Sequence, residues 1–178
     1  ELINSIPDTQ YSILDLGTGS GNIAISLTKN VPDCKMIASD ISEKALEVAR
    51  LNARLNGVSD HVSFIESDLF EDISGEFDYI ASNPPYIARY EFETLQKEVL
   101  KEPVFALYGG VDGLEFYRRI FSAATQHLAH GGYCIVEIGF GQLTAIKEII
   151  EKTKEFKLVE ARIDQYGIDR VIVAQWIN

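Results

Sequence analysis

The strongest constraint on this 178-residue chain is a rhythm of short apolar runs alternating with stretches of helical spacing. The runs are Tyr11 to Leu16, Lys35 to Ser39, Val62 to Glu66, Phe77 to Ala81 and Tyr133 to Ile138. Each is too short for a helix and rich in residues that suit a buried strand. Between them, Asn22 to Lys29 carries Ile23 and Leu27 four apart. Ser42 is placed to cap a helix through Ala45, Leu46, Ala49 and Ala53 that Gly57 stops. Leu114, Tyr117, Phe121, Ala124 and Leu128 predict a long amphipathic helix broken by Gly131-Gly132, and Leu143, Ile146 and Ile150 predict another. Phe156 to Ile163 and Arg170 to Ile177 have no helix between them and read as an antiparallel pair across Asp164 to Asp169. The expected fold is α/β, a seven-stranded, mostly parallel sheet covered on both faces and ending in an antiparallel hairpin.

Polar residues cluster where these runs end, and in open parallel sheets ligands bind outside the strand C-termini. Gly17, Gly19 and Gly21 follow the first run and permit a tight turn with close backbone approach to a ligand. A dinucleotide fingerprint would need glycine at the sixth position, where Asn22 stands, and Asp15 would set negative charge beside a pyrophosphate. That charge suits a cationic ligand better. Asp40, at the end of the second run, is placed to accept hydrogen bonds from two ribose hydroxyls, and Asp68, after the third, from an exocyclic adenine amine. Helix capping and a plain turn are their structural alternatives.

Asn83-Pro84-Pro85-Tyr86 follows the fourth run. Both prolines lack an N-H and have restricted φ, so the turn presents carbonyl oxygens with few competing donors. The Asn83 carboxamide adds an acceptor and two donors, a set suited to gripping a planar amide or amino group. From Tyr86 the chain runs irregularly through Phe92, Leu95, Val99 and Leu100 to Glu102-Pro103 and the glycine-rich segment 109–113. This insertion is expected either to cover the cleft or to cross over the sheet.

Composition narrows the function classes. With 46% of its residues hydrophobic, the chain can bury the core of one domain. Its 27 acidic and 16 basic residues leave a formal charge of -11. Such a surface repels nucleic-acid backbones, and no dense Lys/Arg cluster offsets it. Cys34 and Cys134, without a CxxC, read as buried free thiols in a reducing compartment. His61, His127 and His130 have no ligand-spaced carboxylates beside them, so no metal site is expected. No apolar stretch approaches the ~20 residues that cross a bilayer. The opening at Glu1, without methionine, reads as the tail of a helix.

Asp15-Leu16-Gly17-Thr18-Gly19-Ser20-Gly21, Asp40-Ile41-Ser42 and Asn83-Pro84-Pro85-Tyr86-Ile87 together resemble the HemK/PrmC family. These are S-adenosylmethionine-dependent methyltransferases that modify the glutamine of the Gly-Gly-Gln motif in peptide chain release factors. Glu102-Pro103, Ala106-Leu107, segment 109–114, Tyr117-Arg118 and Asp169-Arg170-Val171 extend the resemblance over essentially the whole chain. It implies a Rossmann-like class I methyltransferase domain over residues 1–178 that uses S-adenosyl-L-methionine, acts on release factors in the cytoplasm, and is monomeric. By the same resemblance, Asp15, Gly17, Thr18, Gly19, Gly21, Asp40, Ile41, Asp68, Leu69 and Asn83 contact the cofactor. Asn83 and the Pro84 carbonyl hold the substrate amide, and Pro85 and Tyr86 line the substrate slot. The sequence starts beyond the point where the family's helical N-terminal domain and linker are expected, and the family's usual Glu-Pro-Arg is Glu102-Pro103-Val104. Asn-Pro-Pro-Tyr is shared with adenine-N6 and other amino-group methyltransferases. A methyltransferase of adenine or guanine in RNA or DNA is therefore the alternative expectation, ahead of a nucleoside-binding protein without catalysis and an oxidoreductase.

Overall fold

The computed structural model describes residues 10–31, 33–95 and 103–177. One seven-stranded sheet organises them, in the order β3-β2-β1-β4-β5-β7-β6. The strands are β1 (Ser12–Leu16), β2 (Lys35–Asp40), β3 (Val62–Glu66), β4 (Phe77–Ser82), β5 (Leu128–Glu137), β6 (Phe156–Ile163) and β7 (Asp169–Trp176). β1 to β5 are parallel, whereas β7 runs antiparallel to both β5 and β6, as the missing helix between the last two runs required. This is the Rossmann-like arrangement expected from the sequence.

Side-chain alternation along the central strands makes two cores. Leu14, Leu16, Ile80, Cys134 and Val136 face α4 (Glu115–Ala123) and α5 (Leu143–Thr153), which bury Tyr117, Ile120, Phe121, Ile146 and Ile150 against them. Ile13, Met36, Ala38 and Tyr79 point to the other face, against α1 (Asn22–Asn30) and α2 (Glu43–Leu55). Each fully buried aliphatic or aromatic side chain contributes roughly 1.5–3 kcal/mol. Ser42 caps α2 as expected, accepting from the Ala45 N–H at 3.3 Å.

The structure corrects five local expectations. The helix opened near Leu114 stops at Ala123 and tightens into a 3-10 turn, Ala124–Gln126. Leu128 is the first residue of β5. Gly131 and Gly132 do not break a helix but lie inside β5, where the register against β4 shifts between Phe77 and Tyr79. No helix joins β3 to β4 among the described residues; turns held by Ser67 replace it. On α1 the buried side chains are Ala24 and Ile25, not the pair Ile23 and Leu27. Cys134 is buried, but Cys34 is only half-buried and lies just ahead of β2. The expectations for the N-terminal helix tail and for Val99, Leu100 and Glu102 fall outside the described residues. Among the described residues no helix is long and apolar enough to cross a membrane, and no group of His, Cys, Asp and Glu could hold a metal ion.

Candidate active site

Strand register assembles the site. Leu16 pairs with Ser39 on one side and Ser82 on the other, and Asp40 pairs with Glu66. The residues that follow, Gly17, Asp40, Ser67-Asp68 and Asn83, therefore stand in a row along one edge of the sheet. The Ser82 hydroxyl donates to the Leu16 carbonyl at 2.9 Å and locks the ends of β1 and β4 together. The chain order reverses between these two strands, which makes this edge the switch point where open α/β sheets bind ligands. A cleft of about 700 Å3 opens there, within the size range of small-molecule sites.

The glycine loop divides into exposed and supporting positions. Gly17 and Gly19 line the cleft with φ of 65° and 55°, a left-handed conformation, and no atom lies within 4 Å of where a Cβ would project. Gly21 is turned inward, where a Cβ would come within 3.0 Å of Ile25 and 3.2 Å of Ala49. Asp15 and Thr18 support the loop from behind and do not line the cleft. Alternation puts Asp15 on the α1 side of β1, fully buried, where its Oδ2 accepts from the Thr18 hydroxyl at 2.6 Å and the Ala24 N–H at 3.1 Å. Its other oxygen has no hydrogen-bond partner among the described residues, and burial pushes the carboxyl up to about 7.

Asp40 accepts from the Gly19 N–H at 2.8 Å through Oδ2 and from the Ser42 N–H at 2.9 Å through Oδ1. A carboxylate offers about four acceptor sites, so one on each oxygen stays open toward the cleft. Ile41 is 58% exposed at the same wall. Ser67 donates to the Leu69 carbonyl at 2.9 Å and accepts from the Asp72 N–H, which holds Leu69 at a φ of 52°. Asp68 and Leu69 both reach the cleft.

Several lining residues were not anticipated from the sequence, Phe105, Phe116 and Arg119 among them. Arg119 Nη2 lies 2.8 Å from Asp68 Oδ1, and its guanidinium sits 5.8 Å above the Phe116 ring. Their signal was the stretch Phe116 to Arg119 on a helix face that points toward the β3 end. Phe105 comes from α3 (Val104–Leu107), so the insertion does reach the cleft.

Asn83 is exposed on the cleft, its carboxamide making no hydrogen bond to another described residue, and Pro84 is buried beneath it. Pro85 also lines the cleft. Tyr86 does not: its ring is half-buried against the α4–α5 core, and a Cβ on Gly139 would come within 2.9 Å of it. The ring faces inward because Gly139 leaves room for it. The turn is braced by the Ile87 N–H donating to Leu107 and the Gly109 N–H donating to Ile87, each at 2.9 Å.

A sheet edge with an open glycine loop, two carboxylates and an asparagine-proline tip is the arrangement of a class I, Rossmann-like methyltransferase. The fold agrees with solved structures. TrmN from Thermus thermophilus superposes with a TM-score of 0.72 at 26% identity, over 99% of this chain and 46% of that one. A ribosomal protein L11 methylase from Lactobacillus delbrueckii subsp. bulgaricus superposes with a TM-score of 0.69 at 22% identity, over 99% and 75%.

The sequence model of the methyltransferase small domain matches residues 1–110, and the chain belongs to that family. The resemblance to HemK/PrmC proteins also holds. The release factor glutamine methyltransferase of Streptococcus pneumoniae is 42% identical over 167 residues, 93% of this chain and 59% of that protein. The one from Flavobacterium psychrophilum is 45% identical over 166 residues, 90% and 56% respectively. The chain thus spans somewhat over half the length of these curated relatives.

The residues fit S-adenosylmethionine, the cofactor of this fold and family. Two open glycines admit its backbone-hugging portion, and Asp40 has acceptor capacity left for a diol.

Proposed function

We propose that residues 1–178 form a catalytic domain that transfers a methyl group from S-adenosylmethionine to the side-chain amide nitrogen of a glutamine, the one in the Gly-Gly-Gln motif of peptide chain release factors. The observation that carries this reading is the exposed Asn83 carboxamide just past the end of β4, where Ser82 pairs with Leu16, the last residue of β1 before Gly17, and donates to its carbonyl. Identity of 41–45% to curated release factor glutamine methyltransferases supports the choice of acceptor. The two free thiols fit a reducing, cytoplasmic setting.

When bound, the cofactor supplies an electrophilic methyl group whose leaving group is a neutral thioether and needs no acid. The chain's task is then orientation. An amide nitrogen is a poor nucleophile because its lone pair is delocalised into the carbonyl. Asn83 Oδ1 and the Pro84 carbonyl accept its two hydrogens, which aims the nitrogen into the cleft and stabilises positive charge growing on it. The proton lost at the end is acidic, so the tip needs no strong base. Asp40 and Asp68 bind and orient the nucleoside end, and the buried Pro84 excludes water from beneath the amide.

Labelled cofactor is incubated with the chain and a release factor, alongside the same factor with the glutamine of its Gly-Gly-Gln motif replaced, and with an RNA and a DNA competitor. Label is expected only on the intact factor. Asn83→Ala is expected to lower turnover by about 10²–10³, the cost of one preorganised group, with cofactor affinity nearly unchanged. Label on the nucleic acid, or on the glutamine-free factor, would overturn the proposal.

A further inference from the structure

We infer that Gln142, at the N-cap of α5 and outside the cleft, is the positioning residue of the Asn83-Pro84-Pro85-Tyr86 turn. Its catalytic consequence rests on the proposed function, but its structural role does not.

The carboxamide of Gln142 is used in full. Nε2 donates to the Tyr86 carbonyl at 2.9 Å and to the Gly113 carbonyl at 3.2 Å. Oε1 accepts from the Gly139 N–H at 3.0 Å and faces the Tyr117 hydroxyl at 3.4 Å. The Tyr117 hydroxyl is fixed in turn by the Glu137 carbonyl at 2.9 Å. Two carbonyls on one side and an N–H on the other define which end is nitrogen, because the reversed amide would set oxygen against oxygen and N–H against N–H. Three separate segments, the turn after β4, the glycine segment 109–113 and the end of β5, therefore meet on one side chain.

Space around this clamp is reserved by glycine. A Cβ on Gly113 would lie 2.5 Å from the Tyr86 carbonyl oxygen and 2.7 Å from Gln142 Nε2, and one on Gly139 would lie 2.9 Å from Gln142 Oε1. Neither the turn nor the clamp can approach this closely past any other residue. Only Pro84 and Pro85 separate Tyr86 from Asn83, and both have fixed φ. Holding the Tyr86 carbonyl therefore narrows the directions open to the Pro84 carbonyl and to the Asn83 backbone, since ψ is the one soft torsion left at each proline between them.

The test uses Gln142→Leu, which removes every bond, and Gln142→Glu, which keeps an acceptor for the Gly139 N–H and, when ionised, loses both donations. Cofactor affinity is measured by calorimetry, kcat and KM with a release factor, and backbone amide exchange by mass spectrometry. Both variants are expected to bind cofactor within threefold of the native chain. A 10–100-fold lower kcat with KM changed less than threefold is expected, together with faster exchange confined to Ile87, Gly109 and, in Gln142→Leu, the Gly139 N–H that loses its acceptor. Native kcat in the folded variants, parallel loss of cofactor affinity, or faster exchange spread over the sheet would each overturn the inference. Should the native chain fail to methylate a release factor, the proposed function falls and exchange alone decides. Unchanged protection at Ile87 and Gly109 would then refute the clamp.

Discussion

Gly109→Ala is the substitution that most directly tests whether the geometry of the acceptor turn sets turnover. Gly109 does not occupy a left-handed conformation, so alanine brings no backbone strain and the perturbation is purely one of space. Its Cβ would stand 2.7 Å from the Pro85 carbonyl oxygen and 2.7 Å from the Tyr86 Cα. Ordinary contact begins at 3.4 Å, so one of the two segments must retreat by about 0.7 Å. Both are backbone, and they are tied together by the Gly109 N–H to Ile87 bond and the Ile87 N–H to Leu107 bond, so neither yields without cost. Overpacking of this kind costs about 1–3 kcal/mol of stability. A displacement near 1 Å at the reacting groups costs about 10²-fold in rate, so a retreat by the turn should lower single-turnover methylation of a release factor by several tens of fold, or about 2 kcal/mol. Gly109 does not line the cleft, and cofactor affinity by calorimetry should stay within twofold. Methylation within twofold of native, in a protein whose unfolding midpoint has fallen as expected, would refute the reasoning. It would mean that the insertion, not the turn, had moved.

Four further outcomes follow from individual contacts. Burial holds the Asp15 carboxyl near 7 against an ordinary 3.8, so the folded chain binds more protons than the unfolded chain between those values and loses stability as pH rises through them. Asp15→Asn removes the penalty, and its stability relative to native should climb by up to about 4 kcal/mol between pH 4 and pH 7.5 in urea titrations; a flat difference would sink the assignment. Asp40→Ala strips acceptors from the Gly19 and Ser42 N–H groups and should weaken cofactor binding at least tenfold, measured by calorimetry. Arg119→Met breaks a pair whose members are each about a third exposed, so unfolding free energy should change by no more than about 1 kcal/mol while cofactor affinity falls a few-fold. Burial lifts the Cys134 thiol to about 12, so alkylation followed by mass spectrometry should mark half-buried Cys34 first.

How much of this was legible in the sequence depended on whether the cause was local. The strand ends were readable because glycine, aspartate and asparagine interrupt apolar runs there, and parallel pairing then brings Gly17, Asp40, Asp68 and Asn83 to one edge. The helix read through Leu128 failed because Ala124 and Leu128 are buried by a 3-10 turn and a strand that continue the helical spacing by coincidence. Asp15 and Thr18 were counted among the cofactor contacts on the family resemblance alone; alternation sends Asp15 to the back of β1, where it accepts from the Thr18 hydroxyl and holds the loop from behind. The substrate-slot role of Tyr86 likewise came from the resemblance, which says nothing of where its ring points. Its actual direction is set by Gly139 and Gln142, more than fifty residues away, which no local pattern reveals. Arg119 was hidden differently, as one of two adjacent arginines on a surface helix.

The two halves of the cleft are held by different means, and this separates what binding and turnover depend on. The glycine loop and the start of the acceptor turn leave adjacent strands at paired residues, and Ser82 bridges them, so their spacing is a property of the sheet itself. Damage there moves loop and turn together and should lower cofactor affinity and rate at once. The far side of the turn hangs on long-range contacts from the insertion and the end of β5, none of which touches the glycine loop. Damage there can swing the Pro84 carbonyl while leaving the cofactor's wall intact. A protein built this way can vary its acceptor geometry through Gln142, Gly109 and Gly113 without disturbing Gly17, Gly19 and Asp40. The same strand-end plan can then carry different amino or amide acceptors on an unchanged cofactor edge.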